Sequence, residues 1–283
     1  MKIIRAEHMG MCFGVRDAVA LAKEHAKNKP ITILGELVHN ETVLRDLRSH
    51  GVQFQSQLEN VRTAEVMITA HGASDQLINK VRQQGHKVVE ATCPLVHFAH
   101  RSLRKLVEEG YYPVVIGKRD HVEVRGLTED FSECDVVLNA EEIGRIKERA
   151  RFGVVSQTTQ PVEKVLQLVG VLNNRFPNSE VRFIDTVCQP TKQRQSSVVA
   201  LAKQCDVVVV VGGANSNNTR ELVATSRLYC GRVHHVQTSA DLREQWFNSA
   251  EIVGITAGTS TPDSMIEQVE RAIVQISQPA VFA

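Results

Sequence analysis

Apolar and polar positions along this chain follow a pattern that repeats three times. Runs with helical spacing at 15–27, 95–109 and 193–204 come shortly after Cys12, Cys93 and Cys188. Each leads into a short apolar stretch, 31–34, 113–116 and 206–211, which reads as a strand. Each strand ends in a polar loop, Val38-His39-Asn40, Asp120-His121-Val122-Glu123 or Asn215-Ser216-Asn217-Asn218, 27 or 28 residues beyond its cysteine. A second strand-and-loop signal also recurs: 66–69 into Ala70-His71-Gly72, 153–155 into Ser156-Gln157-Thr158-Thr159, and 252–256 into Ala257-Gly258-Thr259-Ser260. Repetition of this length sets the architecture before any single motif is weighed.

Strands alternating with helices predict parallel sheets and an α/β class. The continuous β-branched runs, above all 207–211, suit strands covered on both faces. Pro161 and Pro262 mark the starts of helices at 162–175 and near 263–277, proline being suited to a first helical turn. The third repeat lacks a last strand, and residues 3–6, ahead of Cys12, can supply it. The expectation is three similar small α/β domains, 13–92, 93–187 and 188–283 with 1–12 completing the third. They form a pseudo-threefold trefoil around a central cavity. Ligands bind at the carboxyl ends of parallel strands, where every one of these loops and cysteines falls.

Composition narrows the function classes. Of 283 residues, 42% are hydrophobic and 23% charged, with a net charge of +1, which gives no basic surface for nucleic acid. The longest apolar runs are too short to cross a bilayer, and residues 1–7 lack the apolar core of a signal peptide. A cytoplasmic setting follows as the expectation, with the six cysteines as thiols or metal ligands rather than disulfides. No tail beyond the last helix is expected to close the cavity.

A single cysteine ahead of a helix is most often a small buried hydrophobe; three at one repeat position are not so easily explained. Structural zinc favours four ligands and Cys-x-x-Cys pairs, which are absent. A cubane iron–sulfur cluster on three thiolates suits the pattern better, although spacing alone does not separate it from a trigonal zinc site. Cys134, Cys205 and Cys230 read as packing residues. His39, His71, His121, Ser216, Asn218 and Ser260, with glycines nearby, fit recognition of a phosphate or diphosphate. The chain has no nucleotide P-loop sequence. Glu123, an acid in the repeated loops, is a candidate proton donor. The remaining histidines read as surface or capping residues.

Together these residues resemble the 4-hydroxy-3-methylbut-2-enyl diphosphate reductase family of the non-mevalonate isoprenoid pathway. The resemblance rests on Gly10-Met11-Cys12-Phe13-Gly14-Val15, Leu37-Val38-His39-Asn40, Ala70-His71-Gly72, Ala91-Thr92-Cys93-Pro94-Leu95-Val96, His121-Val122-Glu123-Val124, Gln157-Thr158-Thr159, Thr186-Val187-Cys188, Arg194-Gln195, Asn215-Ser216-Asn217-Asn218 and Thr256-Ala257-Gly258-Thr259-Ser260. It implies one [4Fe–4S] cluster per chain on Cys12, Cys93 and Cys188. It implies a diphosphate held among His39, His71, His121, Ser216, Asn217, Asn218 and Ser260, with Glu123, Thr158 and His121 serving catalysis. Electrons would come from reduced ferredoxin or flavodoxin, and the products would be isopentenyl and dimethylallyl diphosphate. Asn217 stands where many members carry serine, and Met11 replaces a common aromatic. A hydro-lyase, a non-catalytic iron–sulfur sensor and a trigonal zinc protein are the competing classes. Dependence on a reductant, the effect of Glu123→Gln and metal analysis separate them.

Overall fold

In a computed structural model that describes residues 1–277, the chain folds into three four-stranded sheets, all parallel. The first sheet holds β2 (Ile31–Leu34), β3 (Gln53–Gln55), β4 (Glu65–Ile68) and β5 (Lys87–Glu90), ordered β3-β2-β4-β5. The second holds β6 (Tyr112–Ile116), β7 (Asp135–Val137), β8 (Arg151–Ser156) and β9 (Glu180–Phe183), ordered β7-β6-β8-β9. The third places β1 (Lys2–Arg5) beside β12 (Ile252–Ala257), then β10 (Val207–Val211) and β11 (Val233–Val236). In all three, the first strand after a cysteine helix is internal and the strand that leads to the next cysteine lies at one edge. The amino-terminal strand takes that edge in the third sheet, with Lys2 opposite Ile252 and Arg5 opposite Ile255.

The valine run shows why these segments are strands. All five residues of β10 are buried; Val207, Val209 and Val211 enter one apolar cluster, Val208 and Val210 another. A β-branched strand with helices on both faces is the stable solution for such a run. Each side chain contributes roughly 1.5–3 kcal/mol of transfer energy before ordering entropy is subtracted. The second sheet divides in the same way, with Val114, Ile116, Phe152 and Val154 on one side and Val115 and Val155 on the other. Gly153 and Gly254 occupy the same place in β8 and β12. A Cβ there would press on Leu106 and Tyr111 in one case and on Leu201 and Cys205 in the other. Glycine therefore lets helices α4 (Pro94–Glu108) and α8 (Gln189–Ala202) lie close on their sheets.

By compactness the chain divides into two units, one of residues 1–13, 39–43 and 189–283, the other of 14–38 and 44–188. The first unit carries the third sheet and the second unit the other two. Inside the second unit, Asp130 accepts from the backbone N–H groups of Asp75 and Gln76 (2.8 and 3.0 Å), and Ser74 bonds Glu129 (2.9 Å). These bonds cap α3 (Asp75–Gln83) and link the first sheet's layer to the second's. The helices after the central strands are α2 (Glu41–Ser49), α5 (Val122–Thr128) and α9 (Asn217–Arg227).

Candidate active site

Each of the three cysteines stands immediately before a helix: Cys12 before α1 (Phe13–Asn28), Cys93 before α4 and Cys188 before α8. Each also closes the same backbone hydrogen bond. The Cys93 N–H donates to the Ala70 carbonyl (3.1 Å), that of Cys188 to Thr158 (2.9 Å), and that of Cys12 to Thr259 (3.0 Å). Ala70, Thr158 and Thr259 are each the second residue past the end of β4, β8 or β12, so the repeat seen in the sequence is a repeat of anchoring. All three thiols are partly exposed.

The other cysteines differ in kind. Cys134 and Cys205 pack against apolar clusters, and burial pushes their thiols up to about 12 and about 11. Cys230 is itself part of an apolar cluster. A thiol ligates metal as thiolate, so burial makes Cys134 and Cys205 poor ligands, and the repeated trio is set apart by its shared backbone anchor.

In the unit containing the first two sheets, loops at the strand carboxyl ends gather His71, His121, Glu123 and Thr158. His121 precedes α5, and its Nδ1 accepts from the Glu123 N–H (3.2 Å), which leaves the ring proton on Nε2. The rings of His71 and His121 meet edge to face, 5.6 Å apart at 87°. Glu123, in the first turn of α5, is only 1% exposed. Its Oε1 accepts from the Thr158 N–H (2.6 Å) and its Oε2 from the Thr158 hydroxyl (3.0 Å). Burial pushes this carboxyl up to about 7, the two Thr158 bonds pulling the other way. A carboxyl balanced near neutrality can hold a proton and give it up.

In the other unit, Cys12 lines a hollow of about 250 Å³ with Met9, Phe13, Pro190 and Arg194. The Arg194 guanidinium is buried and donates to the carbonyls of Gly10 (2.6 Å) and Pro190 (2.9 Å), fixing the chain ahead of Cys12. Ser216 caps α9, accepting from the Thr219 N–H (3.3 Å). Asn217 and Asn218 are buried in the first turn of α9. Asn218 Oδ1 accepts from the Thr259 N–H (3.0 Å), and its Nδ2 is buried without a hydrogen-bond partner among the described residues. Ser260, also buried, donates to the His39 carbonyl (3.4 Å). Gly213 presses on that same carbonyl, where a Cβ would collide.

The residues singled out in the sequence thus fall into two sets. One holds Cys93, Cys188, His71, His121, Glu123 and Thr158; the other holds Cys12, His39, Ser216, Asn217, Asn218 and Ser260. Sequence reasoning left out Thr259 and Gly14. The first holds Cys12, and the second abuts the Cys93 sulfur so closely that a Cβ would overlap it. Their spacing from a strand end and from a cysteine was the available signal. Gln157 also gains a role, its Oε1 accepting from the Lys118 N–H (3.1 Å) and from Gln160 (2.9 Å). This fixes the loop from which Thr158 reaches Glu123.

Three parallel α/β sheets, each with a cysteine at a helix start, and a buried carboxyl beside a strand end are features of an α/β enzyme. The LytB protein family matches residues 3–274, and the chain belongs to that family. The 4-hydroxy-3-methylbut-2-enyl diphosphate reductase of Aquifex aeolicus is 39% identical, over 98% of this chain and 97% of its own. That of Geobacter sulfurreducens is 37% identical over 95% of each. The solved E-1-hydroxy-2-methyl-but-2-enyl-4-diphosphate reductase from Plasmodium falciparum superposes with a TM-score of 0.91 at 26% identity, over 99% of this chain and 89% of that one. A second solved structure, (E)-4-hydroxy-3-methyl-but-2-enyl diphosphate reductase, the terminal enzyme of the non-mevalonate pathway, gives 0.70 at 38% identity, over 97% and 99%.

Proposed function

We propose that this protein converts 4-hydroxy-3-methylbut-2-enyl diphosphate to isopentenyl and dimethylallyl diphosphate by two-electron reductive removal of the hydroxyl group. Membership of the LytB family and the named reductases it matches support the reaction. The observation that carries the chemistry is Glu123. Losing hydroxide from an allylic alcohol requires a proton at the departing oxygen, and a buried carboxyl near neutrality can supply it. Thr158 holds both oxygens of that carboxyl, and His121, at the start of the same helix, presents Nε2–H as a further donor.

In this reading Cys12, Cys93 and Cys188 ligate one [4Fe–4S] cluster per chain. The shared anchoring bond and the raised thiols of Cys134 and Cys205 support the assignment. When bound, the cluster would supply low-potential electrons and a Lewis acid site. His39, His71, His121, Ser216, Asn217, Asn218 and Ser260 bind the diphosphate; the buried Nδ2–H of Asn218 is a donor in want of an acceptor. Reduced ferredoxin or flavodoxin is the electron source in this reading, and the cytoplasm the setting. No helix among the described residues is long and apolar enough to cross a membrane. Three domains, 13–92, 93–187 and 188–283 with 1–12, complete the reading.

The test is anaerobic. Reconstituted protein should reduce the hydroxymethylbutenyl diphosphate with dithionite and a viologen, and Cys12→Ser, Cys93→Ser and Cys188→Ser should each lose iron and sulfide. Turnover without any reductant, or unchanged iron in all three variants, overturns the reading.

A further inference from the structure

The three anchoring carbonyls belong to residues whose own N–H groups are also held, and the holders differ. In the first repeat the Ala70 N–H donates to a backbone carbonyl, that of Leu37 (3.4 Å). In the second the Thr158 N–H donates to the side chain of Glu123 (2.6 Å), and in the third the Thr259 N–H donates to the side chain of Asn218 (3.0 Å). Glu123 and Asn218 occupy matching places, each two residues past the residue that caps its helix, His121 or Ser216. Two chains of hydrogen bonds result. One runs from Glu123 through Thr158 to the N–H of Cys188; the other runs from Asn218 through Thr259 to the N–H of Cys12. Cys93 is tied to Ala70, whose N–H is held by main chain.

We infer that Glu123 and Asn218 are positioning residues for Cys188 and Cys12, each acting through the backbone of one threonine. This goes beyond proton donation and anion binding, and rests on the proposed reading only for the role of the cysteines. Glu123, Asn218 and both threonines are buried or nearly so. Removing an acceptor there leaves a buried N–H unpaired and loosens the loop that ends in the cysteine. The geometry also demands selectivity: each side chain governs its own cysteine, and Cys93 answers to neither.

The experiment measures alkylation of individual cysteines by mass spectrometry, under anaerobic conditions, in the full chain before and after cluster reconstitution. Asn218→Leu should speed alkylation of Cys12 about fivefold, the loss of one buried hydrogen bond, with Cys93 and Cys188 at wild-type rates. Glu123→Leu should do the same for Cys188 alone. Asn218→Asp and Glu123→Gln keep an acceptor oxygen and should restore both rates. In the reconstituted protein the leucine variants should release iron to a chelator faster than their rescued counterparts. If the leucine variants do not fold, Asn218→Ala and Glu123→Ala take their place. Unchanged rates at the matched cysteine, or an equal rise at all three, overturn the inference. A chain that shows the selective pattern but never takes up iron would refute the cluster assignment instead, so the two failures are distinguishable.

Discussion

Replacing Glu123 by glutamine tests the electrostatic argument without any substrate. The folded carboxyl is raised from 4.5 to about 7, chiefly by burial. A shift of that size corresponds to about 3 kcal/mol, at about 1.4 kcal/mol per unit. The sign follows from proton uptake. Below about pH 4 the carboxyl is neutral in both folded and unfolded chains and costs nothing. As pH rises toward 7 the unfolded chain releases its proton first, so stability falls, and above about pH 8 the full cost is present. Glutamine has the same shape and no such titration, and the Thr158 hydroxyl can turn to accept from its amide. The assay is urea denaturation of cluster-free wild-type and Glu123→Gln proteins between pH 4.5 and 8. All other titrating groups cancel in the difference, which should grow in favour of the variant by about 3 kcal/mol across that interval. A difference that stays flat with pH would refute the claim that burial governs this carboxyl. In the same variant kcat should fall on the order of 100-fold with KM little changed, as loss of a general acid demands.

Thr158→Val removes a donor to the carboxylate. The alkaline limb of the kcat profile, expected near pH 7 in the wild type from the raised Glu123 carboxyl, should therefore move up by about one unit. Gly14→Ala places a methyl group on the Cys93 sulfur, and iron per chain after reconstitution should drop to roughly half or less, since a displaced ligand weakens metal binding directly. Gly213→Ala drives a methyl into the His39 carbonyl and should lower the urea unfolding free energy by about 1–3 kcal/mol. Cys134→Ser and Cys205→Ser, whose thiols burial keeps protonated, should retain wild-type iron in the same analysis.

The repeat was legible in the sequence because its strands are apolar and its loops are not. The helix at 162–175 is α7 (Val162–Arg175) as expected, starting directly after Pro161. Helix α8 begins at Gln189 rather than 193. Its first turn, Gln189-Pro190-Thr191-Lys192, has no apolar stripe; Thr191, Arg194 and Ser197 are buried in its amino-terminal part, and Val198, Leu201 and Ala202 enter an apolar cluster only further on. A helix start whose buried positions are largely polar escapes periodicity arguments, because periodicity detects transfer energy and not hydrogen-bond partners. Thr259 was hidden for a similar reason: its contribution is backbone N–H and C=O, which every residue type offers. Glu123 could be singled out as an acid beside a loop histidine, but its enclosure by Thr158, 35 residues away, is a product of topology. What the chain places far apart, only the sheet order reunites.

That order has a consequence for biosynthesis. Strand β1 is made long before its ladder partner β12, which begins some 250 residues later at Ile252. On the ribosome the third sheet therefore stays open at one edge until β12 has emerged, while the sheets of residues 31–90 and 112–183 can close earlier. Contacts of such long sequence separation form slowly, and an unpaired strand edge invites pairing with another chain. The step most exposed to aggregation during synthesis is thus the closing of the third sheet, when an early-made strand meets a late-made one.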